Sequence, residues 1–490
     1  MSQNTIQLSV AQVSALELVQ NLEQELTEVR EKQKQLKQEN CDLKERIKQL
    51  EGQLAKNSSN SSKPPSSNGF KRPPKSRRTK SGKKQGGQKG HPGCNLRQVT
   101  NPDFIIIHTP KECQKCGASL ESQEGLCVEK RQVFDIPEPK IEVTEYQVEE
   151  KRCSCGCVNR GSFPEHIKGP AQYGPRIHTY TVYFLNQQLI PVQRVRQLYK
   201  DIFGVTLSAG TIESMNTRLF MKLESFEAEV KRKLVDERVV HFDETGMRCE
   251  KTLRWAHVAS SLTATFYAIH SKRGQEAIDA IDILPKFGGT AVHDHWKAYF
   301  SYEICDHGLC NAHHDRELEF IHTEEKEAWG RKMQLLLYFA KTTVDQYMTE
   351  GAIPPKILED IEQQYCKILK EGLDYHSGLP DLPKGKRGAR KQRPGKNLLD
   401  RLQKKQDCVL RFIYDFSVPF TNNLGEQDIR MMKLKQKISG CFRTTLGGNR
   451  FCRIRSYIST ARKQAVNIFQ ALFDAVQGTP RSAYSMGTAS

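Results

Sequence analysis

The chain begins with a long stretch in which apolar residues recur every seven positions. No proline interrupts residues 8–54, and two heptad rows run through them. The first row is Leu8, Ala15, Leu22, Val29, Leu36, Leu43 and Leu50, and the second is Val19, Leu26, Gln33, Asn40, Ile47 and Leu54. This repeat predicts a left-handed coiled coil over residues 1–55, in which Asn40 favours a parallel, in-register dimer. The alternative is a lone amphipathic helix packed on the body of the protein.

The apolar pattern stops in residues 56–100. Ser, Asn, Pro, Gly, Lys and Arg dominate there, and residues 71–93 contain many bases and no acid. A segment of this composition cannot bury a core, so it predicts a basic disordered or extended linker. The same segment could contact DNA without reading its sequence, and the two roles are compatible.

Two cysteine clusters enclose an alternating segment. The clusters are Cys113-Gln-Lys-Cys116-Gly117 and Cys153-Ser-Cys155-Gly156-Cys157, and residues 132–137 and 140–146 between them alternate like a β-hairpin. A Cys-x-x-Cys knuckle followed by glycine gives two thiolates the close approach that tetrahedral zinc requires. We therefore expect a zinc-ribbon domain over residues 101–168, with a structural zinc held by Cys113, Cys116, Cys153 and Cys155. Cys157 is an alternative ligand, and Cys127 is expected to be a packed side chain.

Residues 169–235 have a mostly helical pattern. A helical run over residues 195–203 is followed by the helix breaker Gly204, and Ser208 is placed as the N-cap of a helix over residues 209–219. This outline predicts a possible helix-turn-helix DNA-binding region. An ordinary helical hairpin within a core gives the same pattern.

Residues 236–475 combine strand and helix patterns. Strands are expected at residues 237–242, 253–260, 263–270, 290–293 and 302–309, with a helix at 275–284. A helical insertion at about residues 322–415 interrupts this mixed α/β domain, and residues 476–490 are expected to be a disordered tail. The whole chain is thus predicted to be a multidomain α+β protein.

Charge and composition restrict the partners. Among 490 residues, 75 Lys and Arg stand against 57 Asp and Glu, and the sequence pI is about 9.2. This excess of base points to a polyanion such as double-stranded DNA. The sequence has no apolar run near the roughly 18–20 residues of a membrane span and no signal-peptide pattern, so we expect a cytoplasmic, nucleoid-associated protein without a membrane partner.

Three acids are candidates for metal-dependent catalysis. Asp243 and Asp294 are expected at strand ends, and Glu426 at the start of a helix. Carboxylates converging from such positions can hold two Mg²⁺ or Mn²⁺ ions for phosphoryl transfer. The candidate contacts with the DNA backbone follow the glutamate: Arg430, Lys433, Lys437 and Arg443. A second zinc site at Cys310, His313 and His314 is less favoured than a histidine pair near the substrate, because no second ligand cluster follows.

Several blocks, in order along the chain, resemble the transposases of the insertion sequence 66 family. Besides the heptads and the cysteine pairs, they are Asn60-Ser-Ser-Lys-Pro-Pro-Ser-Ser67, Gly86-Gly87-Gln88-Lys-Gly90-His91-Pro92-Gly93, Asp243-Glu244-Thr245, Asp294-His-Trp296 with Tyr299, Cys310-Asn-Ala-His313, Asn422-Asn423 through Glu426, and Lys437-Ile-Ser-Gly440. The resemblance covers nearly all of the chain, and it departs at Gln427, where the family often has arginine.

The resemblance implies a ribonuclease-H-like catalytic core with a divalent-metal triad at Asp243, Asp294 and Glu426. Similar proteins cut the ends of a mobile element and join the freed 3′ hydroxyls to target DNA, sometimes with accessory proteins of the same element. Two other functions are considered: a dimeric zinc-ribbon DNA-binding regulator without catalysis, and a metal-dependent nuclease without strand transfer. Three converging carboxylates favour an enzyme over a regulator, because a regulator has no use for them.

Overall fold

The computed structural model describes residues 10–61, 95–380 and 392–484, and the single positions 86, 90, 93 and 382. These residues divide into two compact units. The larger unit contains the described residues of 1–74, 169–195 and 208–490, and the smaller one those of 75–168 and 196–207. Most of the basic linker expected at 56–100 lies outside the described residues.

The heptad stretch forms one helix, α1 (Val10–Ala55). Its apolar rows are exposed within the single chain: Leu36 is 53% and Leu43 61% accessible. Its last turns contact the rest of the larger unit, through Lys48 with Glu325 at 3.2 Å and the ion pair of Glu45 with Arg393 at 3.3 Å. Contact with the rest of the unit therefore accounts for the end of α1, whereas heptad leucines in its described part, such as Leu36 and Leu43, stay exposed.

The smaller unit contains a short antiparallel hairpin of β1 (Glu150–Arg152) and β2 (Val158–Arg160), which encloses the second cysteine cluster. The hairpin expected within residues 132–146 was wrong, because the backbone there forms no strand. Alternation of apolar and polar residues favours a strand only when one face can be buried, and Val133, Ile136 and Val143 are all more than 80% exposed.

Five helical segments follow, in agreement with the helical pattern of residues 169–235. They are α2 (Pro175–Val182), a π-helix (Tyr183–Gln187), α3 (Val192–Phe203), α4 (Ala209–Lys222) and α5 (Glu224–Val235). The predicted breaker and cap are confirmed: Gly204 has φ +68°, and the Ser208 side chain accepts a hydrogen bond from the Thr211 amide at 3.0 Å.

The larger unit contains a five-stranded sheet, and a helix follows the first three of its strands along the chain. The elements are β3 (Val239–Cys249), β4 (Thr252–Ser260), β5 (Thr265–His270), α6 (Gln275–Ile281), β6 (Thr290–His293) and β7 (Asp306–Leu309). The spatial order is β5-β4-β3-β6-β7; β3, β4 and β5 pair antiparallel, whereas β6 pairs parallel with both β3 and β7. A mixed sheet was predicted, and the structure contains one.

The strand bearing Asp243 is longer than predicted. We expected it to end near Asp243, but β3 continues to Cys249 because β4 pairs with it from His241 to Cys249. Asp243 is therefore in the middle of the strand. It nevertheless lies just beyond the parallel pairing with β6, whose last pair is His241 with Val292.

Five helices stand between β7 and the segment that carries Glu426. They are α7 (Asn311–Thr323), α8 (Ala328–Gln346), α9 (Pro355–Ser377), α10 (Pro394–Lys404) and α11 (Gln406–Tyr414). They share a core of their own that includes the buried side chains of Trp329, Tyr365 and Phe412. The predicted insertion is thus helical, although it begins earlier, at Asn311. Within it, residue 381 and residues 383–391 lie outside the described part of the chain.

The chain ends with α12 (Asn423–Ser439), α13 (Thr445–Lys463) and α14 (Ile468–Gln477). The prediction of a disordered tail over residues 476–490 was wrong for residues 476–484, the first two of which belong to α14. Ala483 is buried, its amide donates to the Glu229 carboxylate at 3.0 Å, and Arg481 pairs with Asp474 at 2.8 Å. Residues 485–490 lie outside the described part.

Candidate active site

Strand register brings two aspartates to neighbouring positions. The parallel pairing of β3 with β6 runs as far as His241 opposite Val292. Two residues further along the chain on each side come Asp243 and Asp294. Because side chains alternate between the faces of a sheet, positions in the same register on parallel neighbours share a face. The two half-buried carboxylates therefore lie side by side.

Glu426, in the first turn of α12, is anchored to the same strand through Asn422. The Asn422 side chain donates to the Phe242 carbonyl at 2.9 Å and faces His241 Nδ1 at 2.8 Å. Burial lowers the pKa of His241 to about 4, so the imidazole is neutral and its Nδ1–H donates to the amide oxygen. The Asn422 carbonyl then accepts from the Glu426 amide at 3.1 Å. This connection fixes the first turn of α12 beside Asp243.

A glycine permits this close anchoring. A Cβ at Gly425 would lie 3.0 Å from Oδ1 of Asn422, closer than a normal contact. Further along α12, Asp428 accepts from Ser260 at 2.7 Å and pairs with Lys463 at 2.8 Å. Since these contacts reach β4 and α13, the helix is held at several points, and Glu426 sits on a rigid support.

The carboxylates perturb one another. The pKa of Asp243 is raised well above its usual value, first by burial and then by the charges of Glu244, Asp294 and Glu426. Burial also raises the pKa of Asp294. Each aspartate accepts one backbone N–H, from Glu244 to Asp243 and from Trp296 to Asp294, both at 2.9 Å. The charges of Asp294 and Glu426 therefore act on Asp243, although no described group of three ligand atoms within 4.8 Å of one another contains these three acids together.

A family model described as Transposase IS66 family matches residues 170–450, which is more than half of the chain and includes all three acids. The chain belongs to this transposase family. A family of unknown function, DUF6444, matches residues 3–97. No curated protein matches the transposase.

Beside the three acids of the transposase lies a second layer of side chains that the sequence analysis did not assign. Glu244, whose side chain is 2% exposed, forms two hydrogen bonds with Arg273, at 2.6 and 2.9 Å, and accepts one from the Tyr299 hydroxyl. The Arg273 guanidinium lies over the rings of Trp255 and Trp296, at 5.0 and 4.3 Å from their centroids. Arg273 stands outside the motif blocks, so only the three-dimensional contact identifies it.

Cys310 and His313 also lie at this site. Cys310 precedes α7, His313 is in its first turn, and His313 Nδ1 is 3.8 Å from a Glu426 oxygen. The two histidines of the expected pair have different surroundings. His314 is buried, and its ring faces the Asn311 side chain at 3.0 Å. Only His313 of the pair is therefore close to the acids.

The four basic residues expected to contact DNA are on α12 and in the loop that follows it. Arg430, Lys437 and Arg443 are exposed. Lys433 is half-buried and donates to the Gly246 carbonyl, and burial lowers its pKa. Lys437 and Arg443 are thus available to a phosphate backbone, whereas Arg430 pairs with Glu426 at 3.9 Å and Lys433 already contacts β3.

The cysteine knuckles have local turns but do not form a closed site. Amides bond back to the Cys113 and Cys153 carbonyls at 2.9 and 2.8 Å, as in a knuckle turn. Hydrogen bonding from Cys116 lowers the pKa of Cys113, and hydrogen bonding from Cys157 and Cys153 lowers that of Cys155. Among the described residues, however, no three of these sulfurs lie within 4.8 Å of one another. The residues of each knuckle therefore interact locally, and zinc binding by the four cysteines stays a prediction.

No helix in the described part of the chain combines the length and apolar character needed to cross a membrane.

Proposed function

We propose that this transposase cleaves the ends of a mobile element and joins the freed 3′ hydroxyls to target DNA, with Asp243, Asp294 and Glu426 holding paired Mg²⁺ or Mn²⁺ ions. The observation that carries this proposal is that Asp294 and Glu426 lie near enough for their charges to add to the effect of burial in raising the pKa of Asp243. A five-stranded mixed sheet supports a ribonuclease-H-like core, because the acids lie on its central strand, directly after the neighbouring parallel strand and on a later helix.

The donor set fits a divalent ion. Mg²⁺ and Mn²⁺ prefer carboxylate oxygens. Neither Asp243 nor Asp294 has an ion pair with lysine or arginine within the described ranges, and Oε1 of Glu426 is buried without a hydrogen-bond partner. Two aspartates with raised pKa values near a buried glutamate oxygen without a hydrogen-bond partner are unfavourable unless a cation balances them, and the exposed Arg430 reaches only the other Glu426 oxygen, at 3.9 Å. Arg273 does not take that place, because its hydrogen bonds go to Glu244.

Bound ions would supply Lewis-acid activation of the attacking oxygen and charge stabilisation at the leaving oxygen. The protein supplies positioning. The backbone N–H groups of Glu244 and Trp296 each fix one aspartate oxygen and leave the other free. The Asn422 anchor holds Glu426 opposite them, and the exposed bases Arg430, Lys437 and Arg443 would orient the DNA backbone.

The proposal includes a homodimer formed through α1. Its exposed heptad leucines make a continuous apolar row that a second copy would cover. Analytical ultracentrifugation of the full chain tests this proposal, and a monomer that stays unchanged at micromolar concentration would contradict it. A zinc held by Cys113, Cys116, Cys153 and Cys155 is a separate proposal that rests on their spacing, and it is tested by the loss of bound zinc in Cys116→Ser.

The decisive experiment uses Asp243→Asn. This change preserves shape but removes the charge that an ion needs, so end cleavage in Mg²⁺ or Mn²⁺ should fall by at least about a thousandfold, while duplex binding stays near the unmodified level. The substrate is a labelled duplex carrying the ends of the element that encodes the protein. Asp306→Asn is the matched control, because Asp306 is an exposed aspartate at the start of β7, and asparagine keeps a side-chain oxygen that can accept from Arg411, with which Asp306 pairs at 2.9 Å.

Three outcomes separate the alternatives. Near-normal cleavage by Asp243→Asn would refute the assignment of the triad. Specific binding of the ends without cleavage by the unmodified protein would favour the regulator. Cleavage without joining of precleaved ends to a target duplex would favour the nuclease.

A further inference from the structure

We propose that Cys310, His313 and Glu426 form a binding site for a zinc-type divalent cation. The Cys310 sulfur, a ring nitrogen of His313 and a Glu426 oxygen all lie within 4.8 Å of one another. Nδ1 of His313 and Oε1 of Glu426 are both buried without a hydrogen-bond partner, and they are 3.8 Å apart. Since a buried polar atom without a partner costs about 1–3 kcal/mol, two such atoms facing each other point to a ligand between them.

Two helix starts create this arrangement. Cys310 immediately precedes α7, and the His313 amide donates to the Cys310 carbonyl at 3.0 Å, so both side chains belong to the same first turn. The first turn of α12 supplies Glu426, and the Asn422 amide donates to the Cys310 sulfur at 3.1 Å. The positive ends of both helix dipoles face these ligands, whereas burial raises the pKa of the Cys310 thiol to about 11, so that binding of a metal would release the thiol proton.

The ligand set selects the kind of ion. Sulfur and imidazole nitrogen suit Zn²⁺ or Co²⁺, whereas Mg²⁺ demands oxygen ligands in octahedral geometry. In tetrahedral zinc sites with bonds of about 2.0–2.3 Å, ligand atoms are separated by roughly 3.3–3.8 Å. The largest separation here, up to 4.8 Å, closes with side-chain shifts of the order of 1 Å. Three protein ligands leave a fourth position for water or another exchangeable group.

The site shares Glu426 with the triad, so its consequence for catalysis rests on the proposed function. A Glu426 oxygen held by zinc is withdrawn from the ions that Asp243 and Asp294 would hold. Zinc at this site should therefore inhibit cleavage, and Mg²⁺ in excess should relieve the inhibition.

The binding test uses Co²⁺ with the full chain, because a thiolate bound to Co²⁺ gives a charge-transfer absorption band. The cysteine knuckles can contribute to this signal, so the comparison is between variants. Cys310→Ser should bind one Co²⁺ ion fewer per chain and should lose the absorbance that this ion contributes. His313→Gln should reduce the affinity for the same ion by at least about tenfold. Cys305→Ser is the matched control; Cys305 is also buried, and its thiol bonds only to the Tyr302 carbonyl among the described contacts.

Serine at position 310 retains an acceptor for the Asn422 amide, and circular dichroism of each variant verifies folding. Equal stoichiometry and spectra for the unmodified protein and Cys310→Ser would overturn the site. Asp243→Asn should keep this Co²⁺ equivalent even though it loses cleavage, which separates failure of this site from failure of the triad. Equal zinc inhibition of the unmodified protein and Cys310→Ser would overturn the inhibitory consequence.

Discussion

Asn422→Ala tests how the structure holds Glu426 over the sheet. The Asn422 side chain is 2% exposed, and it bonds to the Phe242 carbonyl and the His241 ring. Alanine would leave both of those buried groups without a partner. At about 1–3 kcal/mol for each unsatisfied group, the first turn of α12 should lose about 2–6 kcal/mol of local stability.

Hydrogen–deuterium exchange measures this loss where it arises. The Glu426 amide, which bonds to the Asn422 carbonyl, should exchange at least about 30-fold faster for a loss of 2 kcal/mol. The distribution of Glu426 positions would broaden, so cleavage should fall by about 10–100-fold, the range typical of residues that orient metal ligands. Duplex binding should change little, because the exposed bases remain in place.

Two companion variants sharpen the result. Asn423→Ala changes the same residue type at the next position, where the side chain is exposed, and should leave exchange and cleavage unaltered. Gly425→Ala places a methyl group 3.0 Å from Asn422 Oδ1 and should act in the same direction as Asn422→Ala, by about 1–3 kcal/mol. Exchange of the Glu426 amide at the unmodified rate in Asn422→Ala would refute the anchoring argument.

Arg273→Lys keeps a positive charge beside Glu244 but loses one of the two hydrogen bonds and the stacking on Trp255 and Trp296. Cleavage should therefore fall by about tenfold or more, while duplex binding persists. Equal cleavage rates for the variant and the unmodified protein would show that Arg273 has no positioning role. The raised pKa of Asp243 means that the fold binds this proton more tightly than the unfolded chain does. Metal-free protein should therefore lose stability as pH rises from the ordinary carboxyl pKa through the raised one. Asp243→Asn should remove that part of the pH dependence. In chelator at neutral pH, its urea unfolding midpoint, measured by tryptophan fluorescence, should be higher than that of the unmodified protein, and a lower midpoint would contradict this reasoning.

The parts of the site that follow from local pattern could be predicted. A short apolar run ending at Asp294 and a polar start before Glu426 each formed the expected element. Gly204 and Ser208 acted as breaker and cap because turn and cap chemistry is local. The end of the Asp243 strand was missed because β4 continues the pairing, and that partner is a tertiary feature.

Other features depended on contacts that no local pattern encodes. Arg273 reaches Glu244 only because β3, β4 and the segment after β5 fold side by side. His313 was set aside as a zinc ligand because no second cluster follows it in sequence, yet the facing ligand is the single residue Glu426, far downstream. When each ligand comes from a different helix or strand, the sequence contains no characteristic spacing by which the site could be recognised.

The way in which the two aspartates are held connects stability with function. A lysine or arginine beside Asp243 or Asp294 would favour the charged carboxylates more strongly than a backbone N–H does, but it would also neutralise the charge that a divalent ion needs. One amide donor to each aspartate fixes its orientation at 2.9 Å and leaves an oxygen free. The only guanidinium that bonds to the neighbouring acid, Arg273, is held by two tryptophan rings and directed to Glu244 within the described residues. The cluster therefore keeps its excess negative charge, which makes the metal-free fold less stable and an incoming cation more strongly bound.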